Sequence, residues 1–380
     1  MGNTKKTLAI FTLVQHKKST EAYYGYGPYV REMNIWTQHF AKVIIVAPFR
    51  SKAQPEAIDT KYNHKHITLV EVPSFNIKSL ASILKLILVM PALLLKIAKV
   101  MKQADHLHFR CPSNVAALAG LMQIFFPKKP KTVKYAGNWD PKSQQPLGYR
   151  FQKWLFSTTI LTKNCKILVY GKWFNQSKNV MPFSTATFSN SEKVAYKPKV
   201  YTATLKFIFL GSLVKGKRPL LALQIIEALK KHDKAVELHF FGDGILFNDL
   251  KNYTTQNALS KATKLHGNVA ITEIKDHLKS AHFVILPSVS EGWPKALAEG
   301  MFFGAIPIAT PVSCVPWMLG EGERGIFIEP QVESATSTIL SEVSKGDLYL
   351  NAMAKNAQNW SQHYTLERFE ADINLLLEAK

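Results

Sequence analysis

Short apolar runs, each ended by glycine or turn residues and followed by a stretch of helical periodicity, recur along the whole chain. No other feature restricts the fold as strongly. In the second half the runs are Lys206–Leu210, Glu237–Phe241, Phe283–Leu286, Ile306–Ala309 and Gly325–Ile328, and a helical stretch covers Pro219–Lys231. Strands that are apolar throughout, rather than alternating, are buried on both faces, which requires a parallel sheet with helices on each side. The first half has the same rhythm at Leu8–Val14, Val43–Ala47, Ile67–Val72, His106–Phe109, Thr132–Tyr135 and Ile167–Tyr170. The pattern predicts an α/β chain of two doubly wound parallel-sheet domains, 1–200 and 201–359, followed by a terminal helix over 360–380. The break falls near 190–204, around Ser189-Asn190-Ser191 and Lys197-Pro198-Lys199. A length of 380 residues suits two such domains. Ligands of open α/β sheets sit at the carboxyl ends of the strands, so the natural site is a cleft between the two.

The charge is one-sided. Residues 1–200 hold 30 basic and 8 acidic side chains, whereas residues 201–380 hold 18 and 19. The first domain is therefore expected to face something anionic and the second is not. A nucleic-acid-binding protein is a weak reading of this surplus: the sequence has no zinc-ligand spacing, no helix-turn-helix pattern and no RNP-like strand. Cys111, Cys165 and Cys314 are scattered and odd in number, which argues against a disulfide framework and for a reducing compartment. The apolar stretch at the N-terminus is too short for a signal peptide. The apolar segment 80–101 has a longest uncharged run of ten residues, Leu86–Leu95, interrupted by Pro91. A span needs about 20 residues, so the segment reads as a buried or interfacial helix pair, either core or a membrane-docking surface.

Three motifs bear on chemistry. Gly211-Ser212-Leu213-Val214-Lys215-Gly216-Lys217-Arg218 fits G-x-x-x-x-G-K, but Arg218 stands where a phosphate-binding loop needs Ser or Thr for magnesium. What remains is a clamp for a diphosphate, with Lys215, Lys217 and Arg218 on a turn before a helix. Gly25-Tyr26-Gly27 and Gly242-Asp243-Gly244 each lack the third glycine of a dinucleotide fingerprint. They admit close backbone approach or are simply tight turns. The richest segment runs from Pro287 through Ser290-Glu291-Gly292-Trp293-Pro294-Lys295-Ala296 to Glu299-Gly300. Gly292 permits a turn, Pro294 suits the first position of a helix, and amides of 293–296 would point unpaired at an anion. Glu291 and Glu299 then flank the anion as acceptors for sugar hydroxyls. The plainer alternative makes Glu299 a surface residue and Glu291 an acid favouring the helix dipole. A glycosidase acid–nucleophile pair leaves the basic clamp unexplained.

With seven residues between Glu291 and Glu299, this segment resembles the E-x7-E motif of family 4 retaining glycosyltransferases. Their GT-B fold sets two Rossmann-like domains facing across a cleft, with a C-terminal helix crossing back to the first. The resemblance covers 205–330 well and the remainder by architecture. The Gly211 turn with Lys217 is similar to the family's G-R-L-x-x-x-K-G segment, and Gly242-Asp243-Gly244 to its G-x-G strand end. The resemblance implies that Glu291 contacts the donor sugar and Glu299 the ribose, while Lys217 and Arg218 neutralise the diphosphate. Gly211, Ser212, Lys215, Gly242, Gly292, Trp293, Pro294, Lys295 and Ala296 complete the donor site. It implies no metal and no cofactor, the donor being a UDP- or GDP-linked sugar. Ser212 replaces the family's Arg, and Val312-Ser313-Cys314-Val315-Pro316 lacks the family's Glu. Where many members carry a His, this chain has Gly137-Asn138-Trp139-Asp140, which puts Asn138 or Asp140 toward the donor. His106 and His108 are expected to be structural. Gly25, Tyr26 and Gly27 fall on the acceptor side. The implied activity is retaining, metal-independent hexosyl transfer to a glycan or lipid-linked acceptor in bacterial surface polysaccharide synthesis. The implied place is the cytoplasmic face of an anionic membrane. A sugar-nucleotide epimerase of the same fold would leave the one-sided charge without a purpose.

Overall fold

The computed structural model describes residues 3–19, 22–51, 53–56, 58–73 and 80–378. The chain divides into two compact units between Phe183 and Ser184, ahead of the expected break, so that 190–204 lies inside the second unit.

In the first unit the elements are β1 (Asn3–Phe11), β2 (His16–Ser19), β3 (Ala22–Tyr26), α1 (Gly27–Thr37), β4 (Phe40–Ala47), β5 (Phe49–Arg50), β6 (Asp59–Lys61), β7 (Ile67–Glu71), α2 (Leu80–Gln103), β8 (His106–Cys111), α3 (Asn114–Met122), β9 (Lys131–Tyr135), α4 (Leu147–Ser157), β10 (Cys165–Val169) and β11 (Val180–Pro182). Seven of these strands form a parallel sheet in the order β11-β10-β9-β8-β1-β4-β7. Leu93, Ile97 and Val100 of α2, Val115, Ala116 and Ala119 of α3, and Phe156 of α4 enter one core with Phe11, Phe109 and Val133 of the sheet. These three helices therefore cover the same face. α2 is one continuous helix with Pro91 inside it, not the expected pair. A second small sheet, β5-β2-β3-β6, was not anticipated. It takes up the Tyr23–Tyr26 segment that the sequence presents as a loop. Two lysines of the basic half serve the fold: Lys131 donates to the carbonyls of Phe126, Lys129 and Lys163, and Lys134 donates to that of Phe183.

The second unit contains β12 (Leu205–Leu210), α5 (Pro219–Lys231), β13 (Val236–Phe241), α6 (Phe247–Gln256), β14 (Thr263–Leu265), α7 (Ile271–Ser280), β15 (Phe283–Leu286), α8 (Lys295–Phe302), β16 (Ile306–Ala309), α9 (Val315–Met318), β17 (Ile326–Phe327), α10 (Val332–Ser344), α11 (Asp347–Ser361) and α12 (Leu366–Glu378). Its six strands are parallel, in the order β14-β13-β12-β15-β16-β17. Every residue of β15 and β16 is buried, as strands covered on both faces must be. The chain leaves β12 toward β13 on one side and later returns beside it as β15. The loops after β12 and β15 therefore flank the point where strand order reverses, the usual ligand position in such sheets.

Candidate active site

The loop after β12 is shaped by its glycines. Gly211 has φ +143° and Gly242 has φ +133°. A Cβ on Gly242 would lie 2.1 Å from the Gly211 carbonyl oxygen. This pair of glycines lets the loops after β12 and β13 lie backbone against backbone, joined by N–H donation from Gly211 to Phe241 O (2.9 Å) and from Leu213 to Asp243 O (3.0 Å). Their first role is thus the mutual approach of two loops. A short 3-10 turn over Lys215–Lys217 follows, ending at Arg218 in the left-handed region (φ 49°, ψ 49°) as the residue before α5. The Gly216 carbonyl accepts from the Val289 N–H at 2.9 Å, which fastens the turn to the loop after β15.

That fastening brings together residues 74 apart. Lys217 Nζ lies 2.5 Å from Glu291 Oε1, with the Glu291 side chain 5% exposed and the Lys217 side chain 29% exposed. Arg218 donates to the Pro287 carbonyl at 3.3 Å, so its guanidinium braces the same loop. Lys215 and Ser212 are exposed. Glu299 is buried and accepts from Thr187 Oγ1 at 2.7 Å. The reading of Glu299 as a surface residue is therefore corrected: the helix turns it inward. Ser288, in the loop after β15, is fully buried, and its carbonyl accepts from Thr310 Oγ1.

The start of α8 differs from expectation. Its first residue is Lys295, and Pro294 (φ −75°, ψ 81°) precedes the helix instead of opening it. The Lys295 N–H, expected free, donates to Trp293 O at 2.8 Å. The Gly292 carbonyl accepts from Cys314 Sγ at 3.0 Å. Burial and the Glu291 carboxylate push the Cys314 thiol up to about 12, so it serves as a neutral donor that steadies the Gly292 turn. The Trp293 ring does not open toward a ligand. It packs among Trp317, Trp360 and Tyr364, with centroid distances of 5.4–6.1 Å. This aromatic nest anchors the loop, and a sequence reading that saw only the amides of 293–296 missed it. Ala296 is buried in the first turn of α8.

In the first unit the expected site residues are mostly engaged with their own chain. Gly25 lies on β3, and Gly27 opens α1 and donates to Ile58 O at 3.0 Å. A Cβ on Gly27 would stand 2.5 Å from that oxygen, so close packing on β6 explains the glycine. The Tyr26 side chain is 46% exposed. Asn138 Oδ1 accepts from the Asp140 N–H, and Asp140 Oδ1 accepts from the Lys142 N–H, both at 2.8 Å. The two side chains thus build a local turn. His106 and His108 are buried and meet at Thr132 Oγ1, 3.0 and 2.9 Å away. Burial lowers both, His106 to about 3, so they are neutral packing groups. Two polar pairs that no sequence motif marks link β8 to α1 and the start of β2 to the residue after β6. Arg110 Nη1 donates to the buried Glu32 Oε2 at 2.9 Å, and His16 Nε2 lies 2.8 Å from the Tyr62 hydroxyl. No motif spacing links these residues; only the sheet order does.

Residues 191–360 match the family model described as Glycosyl transferases group 1. The chain is 30% identical over 156 residues to the UDP-Gal:alpha-D-GlcNAc-diphosphoundecaprenol alpha-1,3-galactosyltransferase of Escherichia coli, covering 40% of each chain. It is 27% identical over 170 residues to the amylovoran biosynthesis glycosyltransferase AmsK of Erwinia amylovora, covering 42% of each. An uncharacterized glycosyltransferase of Methanocaldococcus jannaschii is 25% identical over 171 residues, 45% of this chain and 47% of the relative. The chain thus matches less than half the length of these curated relatives. Solved structures extend the likeness to the whole fold. HepE of Anabaena, in complex with UDP and glucose, has a TM-score of 0.70 at 13% identity, over 99% of this chain and 100% of that one. Sucrose-phosphate synthase of Thermosynechococcus elongatus has a TM-score of 0.67 at 12% identity, over 98% of each. The fold is of the GT-B class, two Rossmann-like parallel-sheet units, as the sequence predicts.

Proposed function

We propose that this protein is a retaining, metal-independent glycosyltransferase that moves a hexose from a UDP- or GDP-linked donor to a glycan or lipid-linked acceptor in bacterial surface polysaccharide synthesis. The reading is carried by the Lys217–Glu291 pair, 2.5 Å apart at the strand-order reversal of the second unit, with the buried Glu299 one helical turn inside α8. An ammonium at a loop surface, next to a helix N-terminus, suits an anion whose charge grows as a bond breaks. As the sugar–phosphate bond opens, Lys217 and Arg218 take up charge on the departing diphosphate. Glu291 holds donor hydroxyls and Glu299 the ribose. The acceptor hydroxyl attacks from the side the diphosphate leaves, and its proton passes to a phosphate oxygen, so no protein nucleophile is needed. The relatives named as glycosyltransferases favour this reading over an epimerase, and one of them is named for a lipid-diphosphate acceptor.

The partner of the basic first unit is proposed to be an anionic bilayer surface. Among the described residues no helix is long and apolar enough to cross a membrane. The helical face of the first sheet nevertheless exposes large apolar groups: Leu95 of α2 is 72% exposed, and Leu147 and Trp154 of α4 are 78% and 55% exposed. Arg150 lies exposed between the last two. Aromatic and leucine side chains beside basic ones suit the headgroup boundary of an anionic membrane.

The test is a transfer assay with UDP- and GDP-hexoses and a synthetic lipid-diphosphate sugar acceptor, run with and without EDTA. The anomeric configuration of the product is read by NMR. The expected product keeps the donor's configuration and forms equally in EDTA. An inverted linkage, dependence on a divalent ion or no product from any donor overturns the proposal.

A further inference from the structure

Away from the Lys217 loop, three histidines converge at the β14 edge of the second sheet. His239 lies on β13, His266 directly follows β14, and His277 is on α7. Separations of 27 and 11 residues in the sequence give no recognisable metal spacing. The parallel pairing of β13 with β14 and the return of α7 over the sheet bring the rings together. Ring centroids are 5.2 Å apart for His239 and His266, 4.9 Å for His239 and His277, and 5.2 Å for His266 and His277. One nitrogen of each ring lies within 4.8 Å of the other two, and among the described residues this is the one group of three or more metal-type ligands. His239 Nδ1 and His266 Nε2 are 3.0 Å apart.

We infer that His239, His266 and His277 form a binding site for one divalent transition-metal ion of the zinc, cobalt or nickel type, with a fourth position open to solvent. Three neutral imidazoles suit such ions and not magnesium or calcium, which take oxygen ligands. Tetrahedral zinc at about 2.0–2.1 Å from each nitrogen sets the nitrogens roughly 3.4 Å apart. The 3.0 Å between His239 Nδ1 and His266 Nε2 is close to that value, and the third ring offers a nitrogen within 4.8 Å of the other two. Glu237 Oε2 faces His239 Nε2 at 3.9 Å. That separation is too long for a hydrogen bond, but it places a negative charge beside the ring that would carry the ion's charge. Phe241 forms the floor of the site, stacked on His266 at a centroid distance of 4.4 Å. A cavity of about 350 Å³ adjoins the site and is lined by Glu237, Asp276 and His277, with Lys206 and Lys264 as opposing cations. The consequence is a clip that joins β13, the β14 end and α7, independent of sugar transfer.

The test uses the full chain, purified without a histidine tag, stripped with EDTA and dialysed into chelator-free buffer. Cobalt(II) alone is titrated and followed by visible absorption, then displaced with zinc. The expected result is a tetrahedral-type cobalt spectrum at one ion per chain, and a zinc-dependent rise in Tm. His277→Ala should weaken cobalt binding at least about tenfold and remove the zinc-dependent rise, while His363→Ala, at an exposed histidine elsewhere, should change neither. If His277→Ala fails to fold, His266→Gln replaces it in the same titration. No cobalt spectrum at millimolar metal, or binding unchanged in these variants, overturns the site. Sugar transfer is not involved in any arm, so its failure is a separate result.

Discussion

At the level of single residues, the account rests on two carboxylates and one ammonium. Glu291 is buried with its charge matched by Lys217, and Glu299 is buried with a hydroxyl donor, Thr187. Burying a carboxylate without a partner costs several kcal/mol, so both are held in place by specific contacts. Lys217→Ala and Glu299→Ala should each abolish transfer, a loss of roughly 100-fold or more, while circular dichroism and a cooperative melt show a folded chain. Lys217→Ala leaves Glu291 unpaired, so Lys217→Ala/Glu291→Gln should melt higher than Lys217→Ala alone and remain inactive. Full activity in either single variant contradicts the assignment. The sequence shows both glutamates through their spacing, but the buried thiol of Cys314 behind Gly292 and the ring cluster around Trp293 are invisible there. Both arise from contacts between distant segments.

At the level of elements, strands were legible and helix surfaces were not. A strand buried on both faces writes a continuous apolar run, and β15 and β16 coincide with the runs Phe283–Leu286 and Ile306–Ala309. The small sheet β5-β2-β3-β6 has strands of only two to five residues with partly exposed faces, and these leave no comparable trace. Helix α2 has a core face and an apolar exposed one: Leu93 and Ile97 are buried, and Leu88 and Leu95 are exposed. α4 behaves alike, with Gln152, Leu155 and Phe156 inward and Leu147, Tyr149, Arg150, Phe151 and Trp154 outward. If this outer face meets a bilayer, Leu147→Ser/Trp154→Ser should reduce sedimentation with phosphatidylglycerol-rich vesicles at least about tenfold, since each removed group forfeits about 1.5–3 kcal/mol of apolar burial. Transfer to a soluble acceptor should be unchanged. Equal vesicle binding by both proteins contradicts the docking face.

At the level of the whole molecule, the uneven charge and the two-unit architecture were both present in the sequence. The boundary was displaced because 190–204, although rich in turn residues, is tied into the second unit: Lys199 donates to the Gly304 carbonyl at 2.8 Å, and the Asn351 side chain receives the Lys199 N–H. Stability of the whole should depend on buried neutral histidines. Burial lowers His16 to about 4, His106 to about 3 and His282 to about 4, from an ordinary 6.5. The unfolded chain binds these protons first, so stability is fully present above pH 6.5 and falls as pH drops from there toward 4. The slope is on the order of 1.4 kcal/mol per pH unit for each such histidine. A Tm that declines steeply between pH 6.5 and 4 agrees with this; a flat profile contradicts it. The central claim, a nucleotide-sugar site in the second unit, is tested most directly by thermal melting with UDP, GDP, ADP and CMP, each with and without EDTA. At 100 times its dissociation constant a ligand adds about 2.7 kcal/mol. One nucleoside diphosphate should raise Tm equally in both conditions and lose that effect in Glu299→Ala, whereas no shift with any of the four at millimolar concentration would contradict the account.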